Sequence, residues 1–149
     1  MKIKFYQTTQ ILLLLAFFGA IANSSIIQVD ANNSLSGNLT VEIDSFRNRE
    51  GQVCASLFAS SQGFPNNRKN VVQRQCHKIT SVPLTVNFNN LKAGNYAVAV
   101  IHDTNSDGTL NRNDIGMPIE GYGFSRNPEI RTAAPKFNDA AVFIAGPNT

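Results

Sequence analysis

The sequence predicts an all-β fold, a single antiparallel β-sandwich that follows an N-terminal signal peptide. Short segments alternate apolar and polar residues with the period of a strand, and Gly, Pro, Asn and Ser cluster between them. No segment keeps a helical apolar spacing between capping residues. A chain of 149 residues suits one domain, and several short strands separated by turns are typical of a β-sandwich.

The predicted strands follow one another from residue 39 onwards. The segment "LTVEIDSF" sets Leu39, Val41 and Ile43 against polar neighbours, which is the pattern of a half-buried strand. The segments "GQVCASLFAS", "VVQRQCHKIT" and "PLTVNFNNL" predict the next three strands. "YAVAVIHD" carries small and apolar residues on both faces, which predicts a central strand. "KFNDAAVFIAG" predicts one more strand near the C-terminus.

The N-terminus has the three parts of a secretory signal peptide, predicted to comprise residues 1–22. Lys2 and Lys4 lie in the first part, residues 11–22 form an apolar run, and "AIA" supplies small residues before a cleavage point after Ala22. The run is shorter than the about 20 residues that span a bilayer, which favours cleavage over an uncleaved anchor. The mature chain is therefore expected to be exported, periplasmic or extracellular, without a membrane span.

Composition bounds the rest of the chain. Residues 23–37 are rich in Asn and Ser, and we interpret them as a flexible spacer before a domain at residues 38–149. A signal-peptide cleavage near Ala31, later than the one after Ala22, is the alternative. Cleavage at residue 22 would take Lys+Arg from 13 to 11 against 10 acidic residues, a net charge of +1. Because the remaining basic residues are scattered, this small charge argues against a nucleic-acid partner.

Cys54 and Cys76 are the two cysteines of the chain. In an exported protein they are expected to form a disulfide, and two buried free thiols are the alternative. The chain-entropy argument gives such a bridge a stabilisation of about 3 kcal/mol. The pair is not a C-x-x-C motif, so it gives little support to redox catalysis.

The stretch "HDTNSDGTLNRND" has the ligand spacing of a calcium-binding loop. Calcium prefers oxygen ligands, and a loop that wraps one ion carries them at alternate positions, with a glycine at the sharp turn. Gly108 is that glycine, and Asp107 comes directly before it. The predicted metal ligands are Asp103, Asn105, Asp107, Thr109 (through its carbonyl), Asn111 and Asp114.

The surroundings of this loop differ from those of an EF-hand. A strand precedes it, and "IGMPIEGYGF" follows it with glycines and a proline that forbid a regular helix. Asp114 replaces the usual final Glu and is one methylene shorter, so either the affinity should fall or an outside ligand should help, and Glu120 is the best candidate for an added carboxylate. The alternative is a plain turn rich in Asp and Asn, which needs no metal.

Two further features of this region bear on function. His102 next to Asp103 allows a hydrolase hypothesis, with His102 acting together with Asp103 or Glu120, although no nucleophile in a recognisable motif accompanies them. The glycine-rich stretch after the loop is interpreted as a rigid rim for a ligand or a peptide. The residues assigned to this ligand rim are His102, Tyr122, Phe124 and Ser125.

The segment from "LKAGNYAVAVIHD" to "GYGFSRN", followed by "PKFNDAAVFIAG", resembles the DUF2141 family of bacterial secreted proteins. The likeness extends over residues 39–146 and is most specific over residues 94–127, where a G-x-Y-A strand ending in His-Asp precedes G-x-P-x-E-G-Y-G-F-S. The resemblance implies a transthyretin-like or Ig-like β-sandwich and no known activity. The family pattern continues into a final strand, whereas this chain stops at "GPNT"; an absent strand would leave a sheet edge open.

Three functional hypotheses follow from the sequence. The first is an exported, non-enzymatic β-sandwich module with a structural calcium ion in the loop at residues 103–114 and an unknown ligand or envelope protein as partner. The second is the hydrolase that uses His102. The third is a metal-free structural protein of the cell envelope.

Overall fold

Two antiparallel sheets make up the fold of the computed structural model, which describes residues 1–7 and 36–145. These residues also contain a 3₁₀ turn, at Arg68–Asn70, and a single turn of helix, α1 (Phe137–Ala140). The strands are β1 (Lys2–Gln7), β2 (Gly37–Asp44), β3 (Gln52–Phe58), β4 (Gln73–Lys78), β5 (Leu84–Leu91), β6 (Gly94–Asp103), β7 (Gly121–Phe124) and β8 (Val142–Ile144).

The strand order confirms that β6 is a central strand. The smaller sheet has the order β1-β2-β5, and the larger one has the order β4-β3-β6-β7. β8 pairs with the first part of β6, at residues 94–96, and β7 pairs with its second part, at residues 99–102. All of these pairings are antiparallel. The end of β6 therefore emerges between β3 and β7, and this position determines where the acidic loop begins.

The hydrophobic core lies between the two sheets, as a β-sandwich requires. Val41 and Ile43 of the smaller sheet belong to the same buried cluster as Val53 and Val98 of the larger sheet. Along β2 and β5 the buried residues alternate with more exposed ones, so the predicted alternation marks the inward face of the smaller sheet. Each such side chain, when fully buried, stabilises the fold by about 1.5–3 kcal/mol.

A second, aromatic cluster covers the outer face of the larger sheet. Phe58 and Phe124 lie on this face, with Phe137 of α1 and Phe64 from the loop before β4 packed on them. The rings of Phe58 and Phe64 are 5.3 Å apart in an edge-to-face arrangement. This cluster explains why β3 and β6 are apolar on both faces.

The disulfide between Cys54 and Cys76 is confirmed. The two residues lie directly opposite each other in β3 and β4, with a Cα–Cα distance of 4.0 Å and an S–S distance of 1.98 Å. The bridge therefore links the edge strand β4 to the interior strand β3.

Two elements differ from the sequence-based expectation. The "GYGF" segment, expected to be a loop, forms β7, because Gly121 and Gly123 allow close approach; a Cβ atom on Gly121 would lie 3.2 Å from that of His102. "KFNDAAVFIAG", expected to be one strand, divides into α1 and β8. The Asp139 carboxylate accepts a hydrogen bond from the Lys136 backbone N–H at 3.0 Å, which closes the helical turn.

The first residues of the chain form a strand in this structure. Ile3 in β1 is buried opposite Ile43 of β2, and the Asn127 side chain accepts from its N–H at 3.0 Å and donates to its carbonyl at 2.8 Å. The predicted apolar run at residues 11–22 lies outside the described residues. The predicted spacer also lies outside them, except for its last two residues, and Gly37 begins β2. Cleavage after Ala22 would remove β1, and the signal peptide stays a prediction.

Candidate functional site at the end of β6

The acidic loop, residues 103–114, begins at the last residue of β6 and returns to the sheet through Glu120, just before β7. Asp103 is completely buried and accepts three hydrogen bonds. Its Oδ1 accepts from the backbone N–H of Asp107 at 3.0 Å. Its Oδ2 accepts from the N–H of Gly108 at 2.7 Å and from the side-chain amide of Gln52 at 2.8 Å. The Asp103 carboxylate therefore folds the first half of the loop back onto the end of the strand.

Gly108 provides the sharp turn that the sequence predicts. Its φ is +80°, a left-handed conformation that a residue with a side chain rarely adopts. A Cβ atom there would also lie 3.0 Å from the guanidinium of Arg68. The backbone conformation thus favours glycine at this position, whereas the flexible end of the Arg68 side chain could shift away from a Cβ atom.

Glu120 holds the second half of the loop. It is buried, and its Oε1 accepts from both the N–H and the hydroxyl of Thr104, each at 2.8 Å. Its Oε2 accepts from the N–H of Asn111 at 2.9 Å. The structure thus brings Glu120 to the loop, where its carboxylate bonds to backbone groups at both ends. Asp103 and Glu120 together form a clamp around the loop.

Asp107 lies at the exposed centre of the loop and is surrounded by donors. Its Oδ1 accepts from the N–H and the hydroxyl of Thr109, both at 2.7 Å. Its Oδ2 accepts from the side-chain amides of Asn105 at 2.9 Å and Asn111 at 3.0 Å. The hydrogen bonds from Thr109, followed by those from the two amides, hold the pKa of Asp107 well below its usual value of 3.8.

The amide oxygen of Asn111 is the polar atom of this site without a partner. It is the one buried side-chain N or O atom among residues 1–7 and 36–145 that makes no hydrogen bond. Buried oxygens normally find a donor, an ordered water or an ion. The oxygen and nitrogen of an amide exchange places by a half-turn, and only the hydrogen-bond environment decides between the two orientations.

The remaining predicted ligand, Asp114, lies apart from this hydrogen-bond network. It is exposed in the turn at residues 113–116 and makes no hydrogen bond to the loop. Within the described part of the chain, no group of three His, Cys, Asp or Glu side chains is arranged to hold a metal ion. A cation in this loop would therefore depend on amide, carbonyl and water oxygens as well as on carboxylates.

His102 is buried beside the clamp. Its Nε2 lies 2.9 Å from the carbonyl oxygen of Glu50, and its ring packs edge-on against Phe46 at 5.7 Å. Its side chain makes no hydrogen bond with the carboxylate of Asp103 or of Glu120. It does line a cavity of about 130 Å³ together with Glu120 and Tyr122.

The other residues of the predicted ligand rim lie at different depths. Ser125 is completely buried; its hydroxyl accepts from the N–H of Val98 at 2.8 Å and donates to the carbonyl of Ala140. Phe124 belongs to the aromatic cluster, and Tyr122 is half-buried beside it at a ring distance of 6.0 Å. His102, Phe124 and Ser125 thus lie beneath the surface, and Tyr122 is the rim residue nearest to solvent.

Sequence reasoning missed the arginines behind the loop. Arg68 and Arg74 both donate to the carbonyl oxygen of Gly108, and the bond from Arg74 is 2.7 Å long. Arg68 lies in "NNRK", a segment that reads as a solvated turn, and Arg74 lies in β4 between two glutamines. Their separation from Gly108 along the chain hides this contact, because only the β3–β4 pairing brings them to the loop.

The fold and the site together define a small, disulfide-linked β-sandwich that carries a clamped loop at the end of its central strand. The chain belongs to the DUF2141 family, described as an uncharacterized protein conserved in bacteria, whose profile matches residues 41–149. No curated protein and no solved structure matches the chain. In residues 1–7 and 36–145, no helix has the length and apolar character needed to cross a membrane.

Proposed function

We propose that this protein is an exported, non-enzymatic β-sandwich module whose acidic loop binds a calcium ion. The ion would be structural and would fix the surface that β6, the loop and β7 offer to a ligand or to another protein of the cell envelope. Export is supported by the features of residues 1–22 and by the disulfide, because disulfides persist mainly in oxidising compartments.

The observation that carries the calcium proposal is the convergence of two amides on one carboxylate. Asn105 and Asn111 both donate to the same oxygen of Asp107, while the amide oxygen of Asn111 has no partner. A half-turn of each amide would exchange donor for acceptor. At Asn111 the amide oxygen has no hydrogen bond to lose, whereas at Asn105 the oxygen would give up the bond that it accepts from the Asp107 N–H at 3.2 Å. The three side chains would then direct oxygen atoms toward a common point, which suits a hard cation.

Calcium tolerates this kind of ligand set. It takes about six to eight oxygens, including amide and backbone carbonyl oxygens and water, in flexible geometry. The carbonyl of Thr109 is the predicted backbone ligand, and Asp103 and Glu120 would hold the loop in shape. Few charges would contribute, so we expect weak binding, with a Kd of about 10⁻⁴–10⁻³ M, as in extracellular modules.

Calorimetric titration of the purified protein with calcium is the test of this proposal. The wild type is expected to give a saturable heat at millimolar calcium and a higher melting temperature. Asp107→Asn should lose both effects, whereas Asp44→Asn, which removes the same charge at the end of β2, should keep them. Asp114→Asn reports whether the twelfth loop position takes part. If the wild type gives no heat and no shift, the metal-free structural hypothesis replaces this one.

Export is tested by the N-terminal residue of the protein recovered from a bacterial host. Mass spectrometry should find a chain that begins at Asn23 in the exported fraction. A chain that retains Met1 in that fraction would contradict cleavage. It would also show that β1 belongs to the final protein.

One observation favours the hydrolase as a second candidate, namely the cavity that His102, Glu120 and Tyr122 line. The Nε2–H of His102 donates to the Glu50 carbonyl, so Nδ1 is the nitrogen that would act as a base. A panel of esterase, glycosidase and peptidase substrates, measured with the wild type and with His102→Ala, decides the matter. Equal rates for the two proteins would end this hypothesis.

A further inference from the structure

Three arginines from separate parts of the chain line one cavity behind the acidic loop. Arg68 belongs to the 3₁₀ turn, Arg74 to β4, and Arg112 to the second half of the acidic loop itself. The cavity has a volume of about 300 Å³, which is at the lower end of the range for small-molecule sites, about 300–1,000 Å³.

Within the part of the chain that the structure describes, these arginines form no ion pair with an acidic side chain. The one ion pair in residues 1–7 and 36–145 joins Arg131 to Glu129, and it is exposed. Arg74 donates to the Gly108 carbonyl at 2.7 Å and to the Ser56 hydroxyl at 3.3 Å. Arg112 donates to the carbonyl of Gly116 at 2.8 Å.

The positive charge in the cavity is therefore incompletely compensated. A guanidinium carries five N–H donors, and each of these arginines makes only one or two side-chain hydrogen bonds. Burial lowers the pKa of Arg74, and the nearby charge of Arg68 lowers it further, while Asp103 acts in the opposite direction. Arginine nevertheless stays protonated at neutral pH. A bound anion would relieve the repulsion between the two cations and pair with their free donors.

The cavity floor indicates what else the anion carries. Phe58, Val71, Ile101 and Leu110 line it, so a ligand that fills the volume needs an apolar body beside its charged group. A second cavity of about 230 Å³ shares Leu110 and Arg112 with the first. Met117 and Ile130 line this second cavity and are exposed, which gives an apolar chain a path toward the surface.

We propose that the arginine-lined cavity binds a small organic anion. Arg68, Arg74 and Arg112 would hold its carboxylate or phosphate group, and its apolar body would lie on the apolar floor of the cavity. The planar guanidinium fork suits the paired oxygens of both groups. The site goes beyond the calcium proposal and uses other groups: the acidic loop contributes Arg112 and part of the lining, and none of the three arginines donates a hydrogen bond to a predicted calcium ligand.

Equilibrium titration of the full protein tests the proposal with four probes: hexanoate, hexyl phosphate, inorganic phosphate and hexanol. Hexanoate or hexyl phosphate should bind more tightly than inorganic phosphate, and hexanol should not bind. Their relative affinities show whether carboxylates or phosphates are preferred. Failure of both hexyl anions to bind would overturn the proposal, as would hexanol binding equal to theirs. Inorganic phosphate binding as tightly as hexyl phosphate would overturn the role given to the apolar floor.

Variants locate the site. Arg74→Met should weaken binding of the preferred hexyl anion by about tenfold to hundredfold, the usual effect of losing a charged hydrogen bond. Arg74→Lys, which keeps the charge and loses the fork, should weaken it less. Arg49→Met removes an exposed arginine that does not line the cavity and should leave affinity unchanged.

Unchanged affinity in a folded Arg74→Met variant would contradict the assignment of the site. If Arg74→Met does not fold, Arg112→Met is the second variant. Asp107→Asn should bind the anion normally, so the calcium and anion proposals can fail separately.

Discussion

The charged groups on the two sides of the acidic loop differ in how far the protein itself satisfies their hydrogen bonds. On one side, the carboxylates of Asp103, Asp107 and Glu120 accept hydrogen bonds from the loop itself. On the other side, Arg68 and Arg74 share one carbonyl oxygen at Gly108 and form no ion pair with a carboxylate of residues 1–7 or 36–145. The acidic side is thus largely satisfied by the chain, whereas the basic side retains unused donors.

This difference separates the groups that stabilise the fold from those that would bind an anion. A buried group whose hydrogen bonds are all made within the protein contributes to folding, and its loss leaves other buried groups unpaired. Cations that lie close together without a counter-charge contribute little to folding, yet they favour an anionic ligand. The two sides should therefore respond differently to substitution.

Replacement of Asp103 should have the largest effect on stability. Asp103→Ala leaves two backbone N–H groups and the Gln52 amide without their acceptor, so the free energy of unfolding should fall by about 3 kcal/mol or more. Urea denaturation measures this change. Asp114→Ala, the exposed control in the same loop, should change it by less than about 0.5 kcal/mol. Similar losses in the two variants would contradict the distinction between the clamp and the exposed end of the loop.

Replacement of Glu120 should have a smaller and more local effect. Glu120→Ala removes the acceptor for the N–H groups of Thr104 and Asn111, with an expected loss of about 2 kcal/mol. Hydrogen exchange should accelerate at those two amides, while amides in the core of β3 should keep their protection. Unchanged exchange at Thr104 and Asn111 would show that the carboxylate does not hold the loop.

On the basic side, Arg74→Met should leave stability almost unchanged. The substitution loses the hydrogen bonds to the Gly108 carbonyl and the Ser56 hydroxyl, but it also removes a partly buried cation next to Arg68. These effects oppose each other, so the change should stay within about 1 kcal/mol. Denaturant unfolding of this variant and of Arg49→Met provides the comparison. A loss as large as that of Asp103→Ala would assign Arg74 a structural role and remove the contrast between the two sides.

The smallest expected effect is on the pH dependence of stability, and it arises from Asp107. Hydrogen bonds from Thr109, Asn105 and Asn111 lower its pKa in the folded protein relative to the usual 3.8. A lowered pKa stabilises the fold above the unfolded-state pKa, and that contribution disappears as the pH falls through the folded-state pKa. The difference in melting temperature between wild type and Asp107→Asn should therefore be constant near neutral pH and shrink below about pH 4. A difference that stays constant down to pH 2 would contradict this hydrogen-bond pattern.

The fold was more predictable from the sequence than the site. The alternation of apolar and polar residues predicts β2 and β5, and the two apolar faces of "YAVAVIHD" predict the central position of β6. β7 was missed because its glycines read as loop residues, whereas in the fold they allow the strand to pack closely against His102. Local sequence patterns do not contain such tertiary contacts.

Only the part of the site that is continuous in sequence could be predicted. The regular spacing of Asp103, Asn105 and Asp107 marks one loop, and the structure shows the bonds that close it. Arg68, Arg74 and Arg112 share no motif, because strand pairing and the course of the loop bring them together. An anion site of this kind becomes visible only in three dimensions.

The most direct test of the calcium proposal is a crystal structure grown with millimolar calcium. We predict an ion at about 2.3–2.6 Å from Asp107 and from the amide oxygens of Asn105 and Asn111, with both amides turned by half a rotation. The contrary result is a loop without an ion, in which both amide nitrogens still donate to Asp107 as they do here, at 2.9 Å and 3.0 Å.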